Sequence, residues 1–131
     1  MHEYDKAFYE KIDDIYEERL NGFSKRVGLI VRMCRYIEGL NEHGEIDRTK
    51  DLSPIHEATT LYADMEEFEG IIWKEIVSIE ERISIAGRFT KEYDAIKNRK
   101  DDFTSKLNRL KHLEETISNA IDKLKEFEEN S

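Results

Sequence analysis

Apolar side chains recur at alternating steps of three and four residues along three long segments, and this spacing limits the chain to a helical fold. The pattern is densest over residues 71–79, where Ile72, Ile76 and Ile79 share one helical face. Trp73 and Val77 widen that face to one side. Because one neighbour cannot cover so wide an apolar surface, this stretch is expected in the middle helix of a bundle.

The first segment predicts a helix over about residues 4–40. Its stripe consists of Tyr9, Ile12, Tyr16, Leu20, Phe23, Val27, Ile30, Cys34 and Ile37. Asn21-Gly22 would be a turn signal in a β context, but the stripe keeps its phase through this pair, which favours one continuous helix. Two shorter helices that break at Gly22 are the alternative.

Residues 41–53 lose the periodicity and collect turn-forming residues, which predicts a loop. A second helix is predicted over about residues 54–86. Ser53-Pro54 is a favourable helix start. A serine side chain can accept a hydrogen bond from an unpaired backbone N–H group of the first turn, and proline has no N–H group, which at the first helical position would be unpaired in any case. Gly87 follows the last periodic residue, where a C-terminal cap favours glycine.

A third helix is predicted over about residues 90–127, with Thr90 as its cap and a bend or interruption possible at the polar cluster 97–102. The fold class is therefore all-α: an elongated antiparallel three-helix bundle (up-down-up) with coiled-coil-like heptad packing. Residues 1–131 form a single helical domain in this prediction. Helices of such length span ~50 Å each.

Charge along the chain supports this topology, because the basic second half of helix 1 then lies beside the acidic first half of helix 2. Three charged residues interrupt the apolar stripes, and each is predicted to meet opposite charge on a neighbouring helix. The predicted pairs are Glu69 with Lys25–Arg26, Lys100 with Glu17–Glu18, and Glu114 with Arg32. The alternative is that the three residues point outward, and that Phe68, Phe103 and Leu113 fill the core positions.

The overall charge makes some partners unfavourable. A net charge of −9 opposes general binding to nucleic acid or to an anionic membrane, since both need a positive field. The chain has no signal-like segment at its start and no apolar run of ~18 residues, so we expect a cytoplasmic protein that does not bind membranes.

The sequence contains no pattern that predicts catalysis. Glu-x-x-His pairs, which carboxylate-bridged metal sites in bundles use, do not occur, and neither does a glycine-rich phosphate loop. Cys34 falls on the apolar stripe of helix 1, which indicates a buried thiol and not a nucleophile. We therefore expect a protein that is not an enzyme, with no metal, no cofactor and no small-molecule substrate.

The strongest functional indication is an excess of apolar residues on helix 2. The predicted partner-binding residues are Leu61, Phe68, Ile71, Trp73 and Val77. Tyr4, Phe8 and Tyr36 lie off the main stripe of helix 1 and could extend such a surface. The alternative is that the two neighbouring helices of the bundle cover both sides of helix 2.

The preferred hypothesis is a non-enzymatic helical protein–protein interaction module, acting as a scaffold, adaptor or assembly subunit through helix–helix association. Its partner is another protein or a second copy of the chain. The alternative hypothesis is a small acidic inhibitor that blocks a basic nucleic-acid-binding surface by charge mimicry. That function requires the acidic side chains of residues 57–80 to form one continuous exposed stripe.

Overall fold

The computed structural model describes residues 5–87 and 91–129. These residues form three α-helices, α1 (Lys6–Glu42), α2 (Pro54–Ala86) and α3 (Lys91–Glu129), and no strand. All three helices contact one another, which confirms the predicted three-helix bundle. The predicted cap Thr90 lies outside the described residues.

The helix ends show which capping signals operate. Asp5 caps α1, because its side chain accepts a hydrogen bond of 3.1 Å from the backbone N–H of Phe8. Pro54 begins α2 as predicted, but Ser53 has helical backbone angles and its side chain makes no capping bond. Gly87 ends α2 with a φ of 74°, a backbone conformation that favours glycine.

Two positions where the sequence allowed a break are continuous helix. α1 runs through Asn21-Gly22, and α3 runs through residues 97–102. A helix tolerates one glycine at a modest cost when its apolar face stays in phase on both sides. In α1 that face includes Leu20 and Phe23, which are both buried.

Cross-helix pairs establish the direction of each helix. Tyr9 accepts a hydrogen bond of 2.7 Å from Arg82, and further along α1 Arg26 lies 3.6 Å from Asp64, so α2 runs antiparallel to α1. On α3, Arg99 pairs with Asp13 at 2.9 Å. Lys123 pairs with Glu38, also at 2.9 Å, so α3 runs in the same direction as α1. This is the predicted up-down-up order.

The core consists of the inward rows of all three helices. Residues that lose all or nearly all solvent contact include Leu20, Leu61, Met65, Phe68, Ile72, Ile79, Ile96, Phe103, Leu110, Ile117 and Leu124. Burial of each large apolar side chain stabilises the fold by about 1.5–3 kcal/mol. The packing is uneven, since α2 and α3 contact each other most and α1 and α2 contact each other least. A groove therefore runs between α1 and α2.

The loop between α1 and α2 is tied to the far end of α3. Leu52 is buried in the core, and Arg48 donates a hydrogen bond of 2.8 Å to the backbone carbonyl of Phe127. Asp47 and Thr49 form a local turn, in which the Asp47 carboxylate accepts from the Thr49 hydroxyl at 2.7 Å. The loop thus covers the end of the bundle at which α1 finishes. None of the described helices is apolar enough over its length to cross a membrane.

Candidate interaction surfaces

A polar layer crosses the bundle core at Arg99 of α3. Its side chain is 5% exposed, and it donates one hydrogen bond of 2.9 Å to Asp13 of α1 and another of 2.9 Å to Glu75 of α2. The guanidinium carbon also lies 4.5 Å from the Tyr9 ring centroid and 4.8 Å from that of Phe103. Arg99 therefore links all three helices at one level, where desolvation makes its loss costly.

Lys106 forms a second polar contact about two turns along α3. Its side chain is 5% exposed and pairs with Asp102 on its own helix and with Glu17 of α1, which is 3.6 Å away. Glu17 also accepts a hydrogen bond of 2.7 Å from Arg109, which is more exposed. The two polar levels fix the rotation and the axial position of α1 against α3.

These contacts correct the predicted charge partners. Lys100 lies 3.5 Å from Glu80 of α2, and the basic residues that reach Glu17 are Lys106 and Arg109. Arg26 pairs with Asp64 and not with Glu69. The predicted register was offset by between one and two helical turns, because residue counting does not give the axial shift at which side chains interlock.

Glu114 of α3 is a buried carboxylate next to other carboxylates. Within the described residues its Oε1 atom is buried and has no hydrogen-bond partner. Burial, with added repulsion from Glu69 and Glu66 of α2, raises the pKa of Glu114 to about 7. In the part of the chain that the structure describes, Glu114 makes no ion pair with its predicted partner Arg32, so its burial among carboxylates carries an electrostatic cost.

Two of the predicted partner-binding residues on α2 belong to the core. Leu61 and Phe68 are buried. The Phe68 ring stacks on Tyr16 with 5.7 Å between centroids, and it contacts Phe23 at 5.5 Å. Arg19 covers the ring from outside, with its guanidinium carbon 4.6 Å from the centroid. These two residues stabilise the bundle and are not part of its surface.

The other three predicted residues lie nearer to solvent. Ile71 is half-buried and packs against the core, whereas Trp73 and Val77 are 46% and 49% exposed. They lie one turn apart on α2. Lys111 of α3 lies over the Trp73 ring at 5.6 Å, so this small surface is at the α2–α3 side of the bundle.

A larger exposed apolar surface lies on α1, and most of it was missed at the level of sequence. It consists of Phe8, Ile15, Leu29, Met33 and Tyr36, all exposed. The sequence interpretation named Tyr4, Phe8 and Tyr36 as extensions but not the three residues between the last two, and Tyr4 lies outside the described residues. The available signal was spacing, because Phe8, Ile15, Leu29 and Tyr36 all lie at multiples of seven residues from one another.

The groove between α1 and α2 borders this row. Leu29 and Met33 form its α1 side, and His56 and Thr60 form part of its α2 side. A neighbouring depression continues from Met33 to Tyr36 and to the loop beside Pro54. The two depressions share Met33, so with Leu29 and Tyr36 they make an apolar strip along the second half of α1.

Two further sequence features concern chemistry, namely the Cys34 thiol and metal binding. Cys34 is buried, and burial raises the pKa of its thiol, which opposes formation of the nucleophilic thiolate. Over residues 5–87 and 91–129, no three His, Cys, Asp or Glu side chains are grouped so that they could hold a metal ion.

Comparison with known protein families, with curated proteins and with solved structures finds no match for this chain.

Proposed function

We propose that this chain is a non-enzymatic helical protein–protein interaction module, a scaffold, adaptor or assembly subunit, that acts by helix–helix association. The observation that carries the proposal is the apolar surface outside the core. Its members are Phe8, Ile15, Leu29, Met33, Tyr36, Trp73, Val77 and Ile85. Exposed apolar residues that lie one turn apart on a helix, as Leu29, Met33 and Tyr36 do, are typical of surfaces that bind other proteins.

The composition of this surface supports the same function. Aromatic residues and methionine are enriched at the centres of protein interfaces, and here Phe8, Met33, Tyr36 and Trp73 are all exposed. Their positions on helices more than 30 residues long hold them at fixed spacing, which lowers the entropy lost on binding.

The polar layer adds rigidity to this surface. Arg99 holds Asp13 of α1 and Glu75 of α2 in one arrangement, so the helices do not slide or rotate freely. Polar contacts of this kind set helix register in other bundles and coiled coils. A bundle with one register presents one outer surface to a partner.

The acidic-inhibitor alternative has less support. It requires a continuous free stripe over residues 57–80, but Asp64, Glu75 and Glu80 each lie within 4 Å of a basic side chain.

The cytoplasmic location expected from the sequence belongs to the main proposal, since the single buried thiol of Cys34 suits a reducing compartment.

Affinity capture from the native host, together with sedimentation velocity, tests the proposal. The wild-type chain is compared with Leu29→Ser/Tyr36→Ser, with Trp73→Ser/Val77→Ser, and with the control Lys97→Ser/Asn98→Ser on exposed positions of α3. We expect self-association or a captured partner that at least one apolar variant loses and the control retains. A chain that stays monomeric and captures the same proteins in all variants contradicts the proposal.

A further inference from the structure

The exposed apolar row of α1 is symmetric about Gly22. Ile15 and Leu29 lie seven residues before and after this glycine, and Phe8 and Tyr36 lie fourteen residues before and after it. The four side chains are 54–69% exposed. A spacing of seven residues keeps all of them on one face of a long helix, with only ~20° of drift per step.

We infer that this row is the interface of an antiparallel homodimer, in which α1 packs against α1 of a second copy across a two-fold axis at Gly22. The inference rests on the proposed function and names the partner for this surface. In the dimer, Phe8 lies opposite Tyr36 of the second copy, and Ile15 lies opposite Leu29. Each apolar residue then meets another apolar residue, which is the self-complementarity that a two-fold interface requires.

Charge on one side of the row is complementary in the antiparallel arrangement. Glu18 and Lys25 follow Ile15 and Gly22 by three residues, so both lie on the same side of the row. In the antiparallel dimer Glu18 of each copy lies opposite Lys25 of the other, which gives two favourable contacts. In a parallel dimer the facing pairs would be Glu18 with Arg19 and Lys25 with Arg26, so cross-linking decides between the two directions.

Basic residues on the other side of the row already have partners within one chain. Arg26 lies 3.6 Å from Asp64, and the Arg19 guanidinium lies over the Phe68 ring at 4.6 Å. In the antiparallel dimer Arg19 of each copy lies opposite Arg26 of the other, and the Asp64 carboxylate beside Arg26 reduces the repulsion between them. At this side Met33 lies opposite Ile12 of the second copy, which extends the apolar contact towards the groove between α1 and α2.

Gly22 acquires a role in this dimer that it lacks in the single chain. A Cβ atom built at this position meets nothing within 4 Å, so packing within the bundle does not require glycine there. Glycine in a helix interior is also unfavourable relative to alanine. At the two-fold axis, however, the absence of a side chain lets the two helices approach closely along a row that spans about 42 Å.

Disulfide cross-linking tests the geometry in a Cys34→Ala background, with folding checked by circular dichroism. Gly22→Cys is expected to form a covalent dimer on mild oxidation, because the two copies of this position meet at the axis. Phe8→Cys and Tyr36→Cys are expected to cross-link only when mixed, since identical positions lie about 42 Å apart in the antiparallel dimer. The exposed control Lys97→Cys is expected to form no covalent dimer, because this position lies on α3 and outside the interface.

Cross-linking of Phe8→Cys or Tyr36→Cys with itself would indicate a parallel dimer and overturn the inference.

A second test measures the dimer dissociation constant by sedimentation equilibrium. Ile15→Glu/Leu29→Glu is expected to weaken the dimer by at least about 30-fold, as loss of a central apolar contact does. Trp73→Glu is expected to leave the dimer unchanged.

The outcomes separate this inference from the proposed function. A monomeric wild-type chain that still captures a different protein through its apolar surface refutes the dimer and leaves the interaction module standing. A dimer that Trp73→Glu disrupts and Ile15→Glu/Leu29→Glu does not would refute the α1 interface. The proposed function would still stand in that case. A chain that neither self-associates nor binds any protein refutes both.

Discussion

At the scale of single residues, the bundle combines a satisfied buried charge with an unsatisfied one. Arg99 has two carboxylate partners and two aromatic neighbours, whereas Glu114 has no hydrogen-bond partner for Oε1 and lies near Glu66 and Glu69. Burial of a paired charge is tolerated, but burial of an unpaired one costs free energy or changes its protonation. The two positions therefore respond differently to mutation and to pH.

Glu114 makes the free energy of unfolding depend on pH. Its pKa of about 7 in the folded chain lies above the ordinary value of 4.5. The folded state thus binds more protons than the unfolded state between these values, and stability falls as the pH rises through them. Glu114→Gln is expected to raise the free energy of unfolding by about 1–2 kcal/mol near pH 8 and to leave it almost unchanged near pH 5.

Urea unfolding at both pH values checks this prediction, with the exposed neighbour substitution Glu115→Gln as the control. Comparing the two variants with wild type at each pH removes the contribution of other titrating groups, among them Asp13, whose carboxyl pKa burial also raises. An equal effect of Glu114→Gln at both pH values contradicts the raised pKa.

Arg99 is expected to be the most sensitive polar position. Arg99→Leu leaves Asp13 and Glu75 without their cation in a partly buried site, so it should lower the free energy of unfolding by about 3 kcal/mol. Adding Asp13→Asn and Glu75→Gln should recover part of this loss, because the uncompensated charges are then removed. The control Arg109→Leu removes a more exposed pair and should cost less than about 1 kcal/mol. Chemical denaturation of the variants measures the differences.

At the scale of helices, the sequence predicts the elements well and their contacts poorly. The periodic stripes, Pro54 and Gly87 place the helices close to their observed ends, because these signals depend on local chemistry, although Ser53 does not cap α2. The partner of Glu114 depends on axial shift and rotation between helices. A residue count from the turns does not contain that information, so the predicted pair with Arg32 was wrong.

The same limit explains why the exposed apolar surface could be predicted only in part from the sequence. Leu61 and Trp73 both lie beside the main stripe of α2, but only the position of the neighbouring helices decides that the first is buried and the second is 46% exposed. The row from Phe8 to Tyr36 was visible in the sequence as a spacing of seven residues. It could be separated from the core stripe only by knowing which face of α1 the other helices cover.

Gly22 gives a prediction about α1 as an element. In the Ile15→Ser/Leu29→Ser background, where the proposed interface is removed, Gly22→Ala should raise the free energy of unfolding by about 0.5–1 kcal/mol through helix propensity. In the wild-type background it should weaken self-association, because the added Cβ lies at the axis. Gly28→Ala is the matched control, since that position is also open in the single chain but lies off the row. Equal effects of both substitutions on association would contradict the axis at Gly22.

At the scale of the whole molecule, the uneven packing of the helices connects fold and function. α2 and α3 form the most extensive contact, while α1 adds a second apolar face that the bundle does not cover. The two polar levels at Arg99 and Lys106 hold α1 in place against α3. A helix that is fixed in this way can offer its outer face to a partner without first being ordered.

If that partner is a second copy, stability must depend on protein concentration. Association with the folded state but not with the unfolded state draws the equilibrium toward folding, so the midpoint of thermal unfolding should rise with concentration. Ile15→Ser/Leu29→Ser should abolish this dependence, and Trp73→Ser/Val77→Ser should preserve it. Differential scanning calorimetry over a wide concentration range measures the midpoints. A wild-type midpoint that does not change with concentration would contradict a dimer through the α1 face.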